Sequence, residues 1–320
     1  MLRAMDSAVA GLRAHQNKMD VVGHNIANVN TDGFKAQSYT FKEAMYQTST
    51  ASTGNNNGAG GVNAAQYGYG TLMGTIGMDM TASTPTYRGG FNASIEGEGF
   101  FITLKTASEV ITANFMATNF DYTRVGQFTV DSAGYVVDGN GNFVYGFVPK
   151  TGDDIVSGKE FDADNLVPLR APTGTIPPKD ITTDLNYGQN IDSTKEAIQL
   201  SNIQIDKNGK ISASITMDDD SAKTIYLGTV AIATFQNPNG LTKVGNNYYN
   251  AANADNTGQS SASMPGGATS SLMPGYIEAS NVDLAKEFAE MITTHRGFQA
   301  NSKMITVSDE MLSDLVAMKR

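Results

Sequence analysis

Cysteine is absent from all 320 residues, which removes disulfides, zinc-thiolate sites and thiol nucleophiles together and leaves the redox compartment unread. Basic charge is scarce as well. The 22 Lys and Arg stand against 32 Asp and Glu, giving a net charge of −10 at pH 7 and a pI near 4.7. That balance argues against nucleic acid and against an anionic membrane surface, both of which demand a basic face. No apolar run approaches the roughly 18 residues of a membrane span, so no membrane insertion is expected. The first residues also lack the continuous apolar core of a secretory leader, because Asp6, Arg13 and His15 interrupt it. If the protein leaves the cell, it is expected to do so without a cleaved signal peptide. The length suffices for two or more domains, each with a real core.

Motifs for catalysis and cofactors are missing too. His15, His24 and His295 all fall in the terminal segments, with neither a His-Glu-x-x-His pattern nor a Gly-x-Ser-x-Gly turn. The glycines around Gly68-Tyr69-Gly70 and Gly74 lack dinucleotide-binding spacing, and no phosphate-loop lysine follows them. Asp138-Gly139-Asn140-Gly141-Asn142 starts like a calcium loop, but Phe143 and Pro149 occupy the places of the required Gly and the bidentate Glu, so a hairpin turn is expected. Asp218-Asp219-Asp220 reads as a solvated turn. No enzyme, cofactor or metal site is expected.

What the chain does have begins at its N-terminus. Leu2, Met5, Val9, Leu12, Gln16, Met19, Gly23 and Ile26 recur at spacings of three and four, which lays them along one side of a helix within Met1 to Lys35. Ala4, Ala8 and Gly11 add a second face of small side chains on which another helix can approach closely. Gly11 and Gly23 each cost about 1 kcal/mol against Ala in a helix interior, so this helix is weak alone. Asp32-Gly33 supplies a stop, with glycine available for a left-handed turn, and Phe34 opens an extended segment. The C-terminus mirrors this pattern. Ser280 to Asp283 reads as a capping box, and Leu284, Phe288, Met291, His295, Phe298, Ser302, Ile305, Asp309, Leu312 and Val316 repeat the three-and-four spacing in a helix over Val282 to Lys319. Lys319 and Arg320 suit the C-terminal end of its dipole. His295, Ser302 and Asp309 make that stripe a poor dry two-stranded seam, and fit a helix that meets several neighbours. The plain alternative for either stripe is an amphipathic helix packed on its own domain.

Between the helices, Phe41, Met45 and Tyr46 suggest a short helical turn, and Thr48 to Gly61 reads as a flexible loop. Strands begin near Phe91. A strand over Ala93 to Leu104 is followed by a meander from Tyr122 to Phe147 with turns at Ser132-Ala133-Gly134 and Gly139 to Asn142. Pro168, Pro172, Pro177 and Pro178, with Asp153, Asp154, Asp162 and Asp164, mark an exposed stretch, after which Ile203 and Ile205 pair with Ile211 to Met217 across Asp206-Lys207-Asn208-Gly209. Tyr226 to Phe235 is a strand buried on both faces, and Ala251 to Pro274 a loose linker.

Asn25-Ile26-Ala27-Asn28, followed by Thr31, Gly33, Phe34 and Lys35, resembles the N-terminal motif of the bacterial flagellar rod and hook family, whose members polymerise into the flagellar axis. His24 stands where that family more often has Asn. Ser280-Asn281-Val282-Asp283-Leu284, with Glu287, Met291-Ile292, Arg296, Gln299, Asn301, Lys303, Ile305 and Asp309, resembles its C-terminal motif, departing from it at His295 and Val307. The Gly97-x-Gly99-Phe100-Phe101 strand, Tyr122-Thr123-Arg124-x-Gly126-x-Phe128 and Asn237-Pro238-x-Gly240-Leu241 resemble its first β-domain. The middle of the chain carries no such match.

The resemblance implies an α+β multidomain fold: long N- and C-terminal helices packed as a coiled-coil-like pair, a β-rich first domain, and a smaller inserted β-domain. The divisions expected are 1–35 and 275–320 for an inner-tube domain, 36–90 for an extended linker, 91–149 and 225–274 for the first β-domain, and 150–224 for the insertion. The function implied is a structural, homo-oligomeric helical polymer of the extracellular flagellum. Within the family a hook subunit is favoured, from Asp283-Leu284 and the length of the middle, over a distal rod subunit. A β-rich adhesion protein with a helical stalk is the alternative of another class. The implied partners are rod and hook–filament junction proteins, a hook cap and the type III export apparatus. The assembly interface is expected at Leu2, Met5, Val9, Leu12, Met19, Asn25, Ile26, Asn28, Gly33 and Phe34, and at Asn281, Leu284, Phe288, Met291, Phe298, Asn301, Ile305 and Leu312.

Overall fold

A computed structural model describes residues 2–54, 60–106, 111–112, 120–150, 152–163, 165–173, 197–216, 222–251, 254–258, 260–266 and 270–318. The fold is α+β, with long helices near both ends and strands between them. It divides into a helical unit, residues 1–30, 35–79 and 282–320, and a β-body, residues 31–34 and 80–281.

In the helical unit, helix α1 spans Leu2–Ala27, shorter than the expected 1–35. Asn28 ends it: its Nδ2 donates back to the His24 carbonyl at 2.9 Å, satisfying an end-of-helix acceptor. Helix α2 spans Leu284–Ala317, about 51 Å at 1.5 Å per residue. Asp283, rather than Ser280, is its N-cap, accepting from the N–H groups of Ala285 at 2.9 Å and Lys286 at 3.3 Å. Lys319 and Arg320 lie outside the described residues. The segment expected as a linker with a helical turn forms strands instead. β1 (Gln37–Glu43) pairs antiparallel with β4 (Thr71–Met78), and β2 (Tyr46–Thr50) pairs with β3 (Ala65–Gly68). These strands are mostly exposed, and apolar residues such as Leu72, Met73 and Ile76 do not alternate strictly, so the pattern carried little trace of them.

The β-body is organised on a fourteen-stranded sheet whose main path runs Ser201–Ile205, Lys210–Thr216, Ala222–Val230, Phe143–Phe147, Phe100–Leu104, Asp121–Thr123, Tyr248–Asn250 and Thr242–Gly245. The expected meander is present as Phe128–Val130, Val136–Asp138 and Phe143–Phe147, each paired with the next. The hairpin over Asp206 to Gly209 is present too, with Gly209 at φ 72°. Among the described residues of 150–224 no sheet separate from the main one is formed. The strands of 150–224 continue the same sheet, since Lys210 pairs with Thr229 and Gly146 with Val230. One core joins Ile205, Ile211 and Ile225 to Phe101, Val144 and Ile232. A hairpin with isoleucine at alternate positions buries them more fully by extending an existing sheet than by standing alone. Residues 174–196 and 217–221 of this stretch, including Pro177, Pro178 and Asp218 to Asp220, lie outside the described residues.

The expected strand Tyr226 to Phe235 breaks at Ala231. Beyond the break, Ile232–Phe235 crosses to pair with Phe100 and Phe101 on one side and Ser260–Ser263 on the other. This and the pairing of Ser271–Pro274 with Ala93–Glu96 make strands of what composition alone reads as a linker. The motif glycines have steric reasons. A Cβ on Gly126 would sit 1.7 Å from the Ala93 carbonyl oxygen, and one on Gly99, at φ 136°, 2.3 Å from Ile232 Cγ2. Arg124 of the same motif is 2% exposed, donates from both Nη atoms to the Gly97 carbonyl at 2.9 Å, and faces Glu278 Oε2 at 3.5 Å. Gly33 sits at φ 69° with its N–H on the Glu278 carbonyl at 2.8 Å, so the left-handed turn is present but lies six residues past the end of α1, in the β-body, and is not the helix stop.

Candidate assembly interface

Helices α1 and α2 pack side by side in opposite directions. A Cβ on Gly11 would lie 2.6 Å from Asn301 Nδ2, one on Gly297 would lie 2.7 Å from the His15 ring, Lys18 bridges to Glu290 at 3.1 Å, and Asn25 bonds Glu287. As the α1 number falls, the α2 number rises. The seam is thus made by the small face read from Ala8 and Gly11, set against Glu287, Thr294, Gly297, Asn301 and Ser308. It is not an apolar heptad seam. A third face of α1 is covered by β1 and β4, with Gly70 against Ser7 and Ala10, and Phe41 edge-on to His15 at 5.3 Å.

That arrangement leaves both apolar stripes only partly covered among the described residues. On α1, Met5, Leu12, Met19 and Ile26 are half-buried and Val9 is 39% exposed. On α2, Leu284 and Phe288 are exposed at 39% and 48%, while Met291, Phe298, Ile305 and Leu312 are half-buried along the flank of the seam. His295, Ser302 and Asp309 are exposed, outside the seam. The side chain of Leu2 lies outside the described residues. Other expected interface residues are engaged within the chain. Asn28 caps α1, Asn301 fills the space above Gly11, Asn281 donates its N–H to the Phe34 carbonyl at 3.4 Å, and Gly33 and Phe34 are buried in the β-body.

Asn25 is the most fully used. Buried at 1% exposure, it donates from Nδ2 to the Gln37 carbonyl at 2.8 Å and to Glu287 Oε1 at 3.0 Å, and accepts from the Gln37 N–H at 2.9 Å. One amide thereby ties the end of α1, the start of β1 and the first turn of α2. Burial pushes the Glu287 carboxyl above its ordinary value, against the lowering effect of the Asn25 bond. Burial and then Lys18 push His15 below its ordinary value, and its Nδ1 makes no hydrogen bond. The sequence pointed to Asn25 as a motif residue but gave no sign of Glu287 as its partner, 262 positions away.

Comparison with known proteins finds two family models at the chain's ends: flagella basal body rod protein over residues 5–35, and flagellar basal body rod FlgEFG protein C-terminal over residues 273–318. The flagellar basal-body rod protein FlgG of Bacillus subtilis is 36% identical over 322 residues, covering 100% of both chains. The flagellar hook protein FlgE of Borreliella burgdorferi is 26% identical over 457 aligned positions, again covering 100% of both. The flagellar hook protein FlgE of Caulobacter vibrioides is 46% identical over 121 residues, 38% of this chain and 20% of that protein.

Proposed function

The chain belongs to the family of flagellar rod and hook proteins, and from that premise we propose that its copies polymerise through the exposed stripes of α1 and α2 into a helical tube that carries motor torque. It is a structural component of the flagellum and not an enzyme. The observation that carries the polymer reading is the double use of each helix: the seam within the chain takes the small and polar face, and the apolar face is left over. Removing that face from water is favourable by about 25 cal/mol per Å², which only neighbouring copies supply. Coiled-coil-like apolar packing then belongs between copies, with the helical units forming an inner tube and the β-bodies an outer layer. Subunits repeat head to tail without closing, which gives a filament. The partners that follow are axial proteins at either end, a growing-end cap and the type III export apparatus.

Two positions along the axis have separate support. Asp283-Leu284 favours the hook, a curved, bendable joint. Length favours the distal rod: the rod relative aligns over 322 residues with nothing left over, whereas the hook relative needs 457 positions. The segment 150–224 lies in the common sheet and aligns within the rod match, so it does not argue for the hook. Electron microscopy of the polymerised protein decides the matter. Curved, supercoiling tubes support the hook and straight, stiff tubes the rod, while a protein that never forms tubes refutes both. Removing residues 1–33 should abolish tubes and preserve β-sheet circular dichroism.

A further inference from the structure

Helix α2 carries two exposed apolar patches at its two ends. Leu284, Phe288 and Ile292, 39%, 48% and 55% exposed, form a head patch within about an 80° arc at 3.6 residues per turn. Met304, Met311, Leu315 and Met318, 51%, 44%, 46% and 77% exposed, form a tail patch whose centre lies about 150° further round and roughly 35 Å along the axis. The seam register sets their surroundings. With Gly11 level with Asn301 and Asn25 level with Glu287, the start of α1 at Leu2 falls level with Glu310. Residues from Met311 onward therefore run past α1 by about 10 Å, while the head end is nearly flush. Charge divides the same way. Arg296 is exposed on one flank of the head patch and Asp314 on one flank of the tail patch, with no salt bridge to either among the described residues.

Building on the polymer reading above, we infer that the tail patch of one copy docks on the head patch of the next, α2 against α2 in parallel. A second copy is the occupant that fits both features, because the overhang supplies an apolar tongue and the opposite end of the same helix supplies an uncovered apolar face of opposite charge. The flanks agree with this pairing. Arg296 lies about 80° to one side of the head patch and Asp314 about 70° to the other side of the tail patch, so when two parallel helices face each other both fall on the same side of the contact. The two patches are different surfaces, so the contact is heterologous and propagates instead of closing on itself.

Because the chain has no cysteine, disulfide trapping starts from a clean background. The variants Ile292→Cys and Met311→Cys, one residue from the register that pairs Arg296 with Asp314, are purified separately, mixed in equal amounts, polymerised and oxidised. A mixed dimer on a non-reducing gel is expected from the mixture, and at most one-tenth as much from either variant alone. Charge reversal provides a second reading: Arg296→Glu or Asp314→Arg alone should raise the critical concentration for tubes severalfold, and the two together should restore it. Wild-type tubes accompanied by no mixed dimer and no restoration would overturn this contact while leaving the polymer reading intact. A wild-type chain that forms no tubes overturns the polymer reading itself.

Discussion

Replacing Arg124 with Met tests whether the β-body is held at one buried charge. The guanidinium is 2% exposed, gives two 2.9 Å hydrogen bonds to the Gly97 carbonyl, lies 5.4 Å from the Phe100 ring centre and sits 3.5 Å from Glu278, itself 1% exposed. Methionine keeps the apolar stem but removes the charge, so the Glu278 carboxylate stays buried without its counter-ion. Breaking one side of such a pair costs about 3–5 kcal/mol. For a body of about two hundred residues, each kcal/mol shifts the midpoint by about 2–4 °C, so Arg124→Met should melt roughly 6–20 °C lower. The chain has no tryptophan, so tyrosine near-ultraviolet circular dichroism, checked by calorimetry, is the suitable probe. The double variant Arg124→Met with Glu278→Gln removes both charges and should lose less than the sum of the single changes, by about 1–3 kcal/mol. A single variant melting within 1 °C of the parent, or strictly additive losses, would show that the pair is a bystander.

Asn25→Ala should destabilise the helical unit by about 2–3 kcal/mol, because it strands the Gln37 backbone and the Glu287 carboxylate, and hydrogen exchange in α1 and β1 should rise while the β-body is unchanged. Gly11→Leu should separate the helices, since even a Cβ meets Asn301 at 2.6 Å, and protease cleavage within α1 should accelerate about tenfold or more. The pH response of the helical unit should have two opposing parts. Glu287, raised above 4.5, contributes stability that is complete below that value and is lost as pH rises through its folded value, so Glu287→Gln should flatten that slope in exchange experiments. His15, held below 6.5, contributes stability that is present above 6.5 and lost as pH falls toward its folded value, so His15→Gln should remove the acid-side loss.

The terminal helices were legible in the sequence because three-and-four spacing reports an apolar face whatever covers it. The same rule misleads about the partner. The expected assembly surface groups Phe288, Asn301 and Leu312 together, while the chain uses Gly11, Gly297 and Asn301 for its internal seam and leaves Phe288 exposed. The meander was legible from its turns, with glycine where φ must be positive, as at Gly134 and Gly141. β1 to β4 escaped notice because an exposed strand needs only backbone partners. The unity of the sheet escaped too, since the pairing of Gly146 with Val230 spans 84 positions and leaves no local mark. Arg124 was visible as part of a motif, yet its role depends on Glu278, far along the chain.

Charge explains why assembly surface and solubility reside in different parts of the molecule. The helical unit carries ten Lys and Arg against ten Asp and Glu, whereas the β-body carries twelve against twenty-two, so the entire net charge of −10 belongs to the β-body. Copies of a neutral unit approach without net repulsion, and exposed Val9, Phe288, Ile292 and Leu315 then supply the attraction. Those same side chains would drive indiscriminate association if nothing opposed it. The acidic body opposes it at close approach, because the Debye length is about 8 Å at physiological salt. On the polymer reading proposed above, the bias against basic residues, which at first only excluded nucleic acid, acts as the counterweight to the exposed apolar stripes.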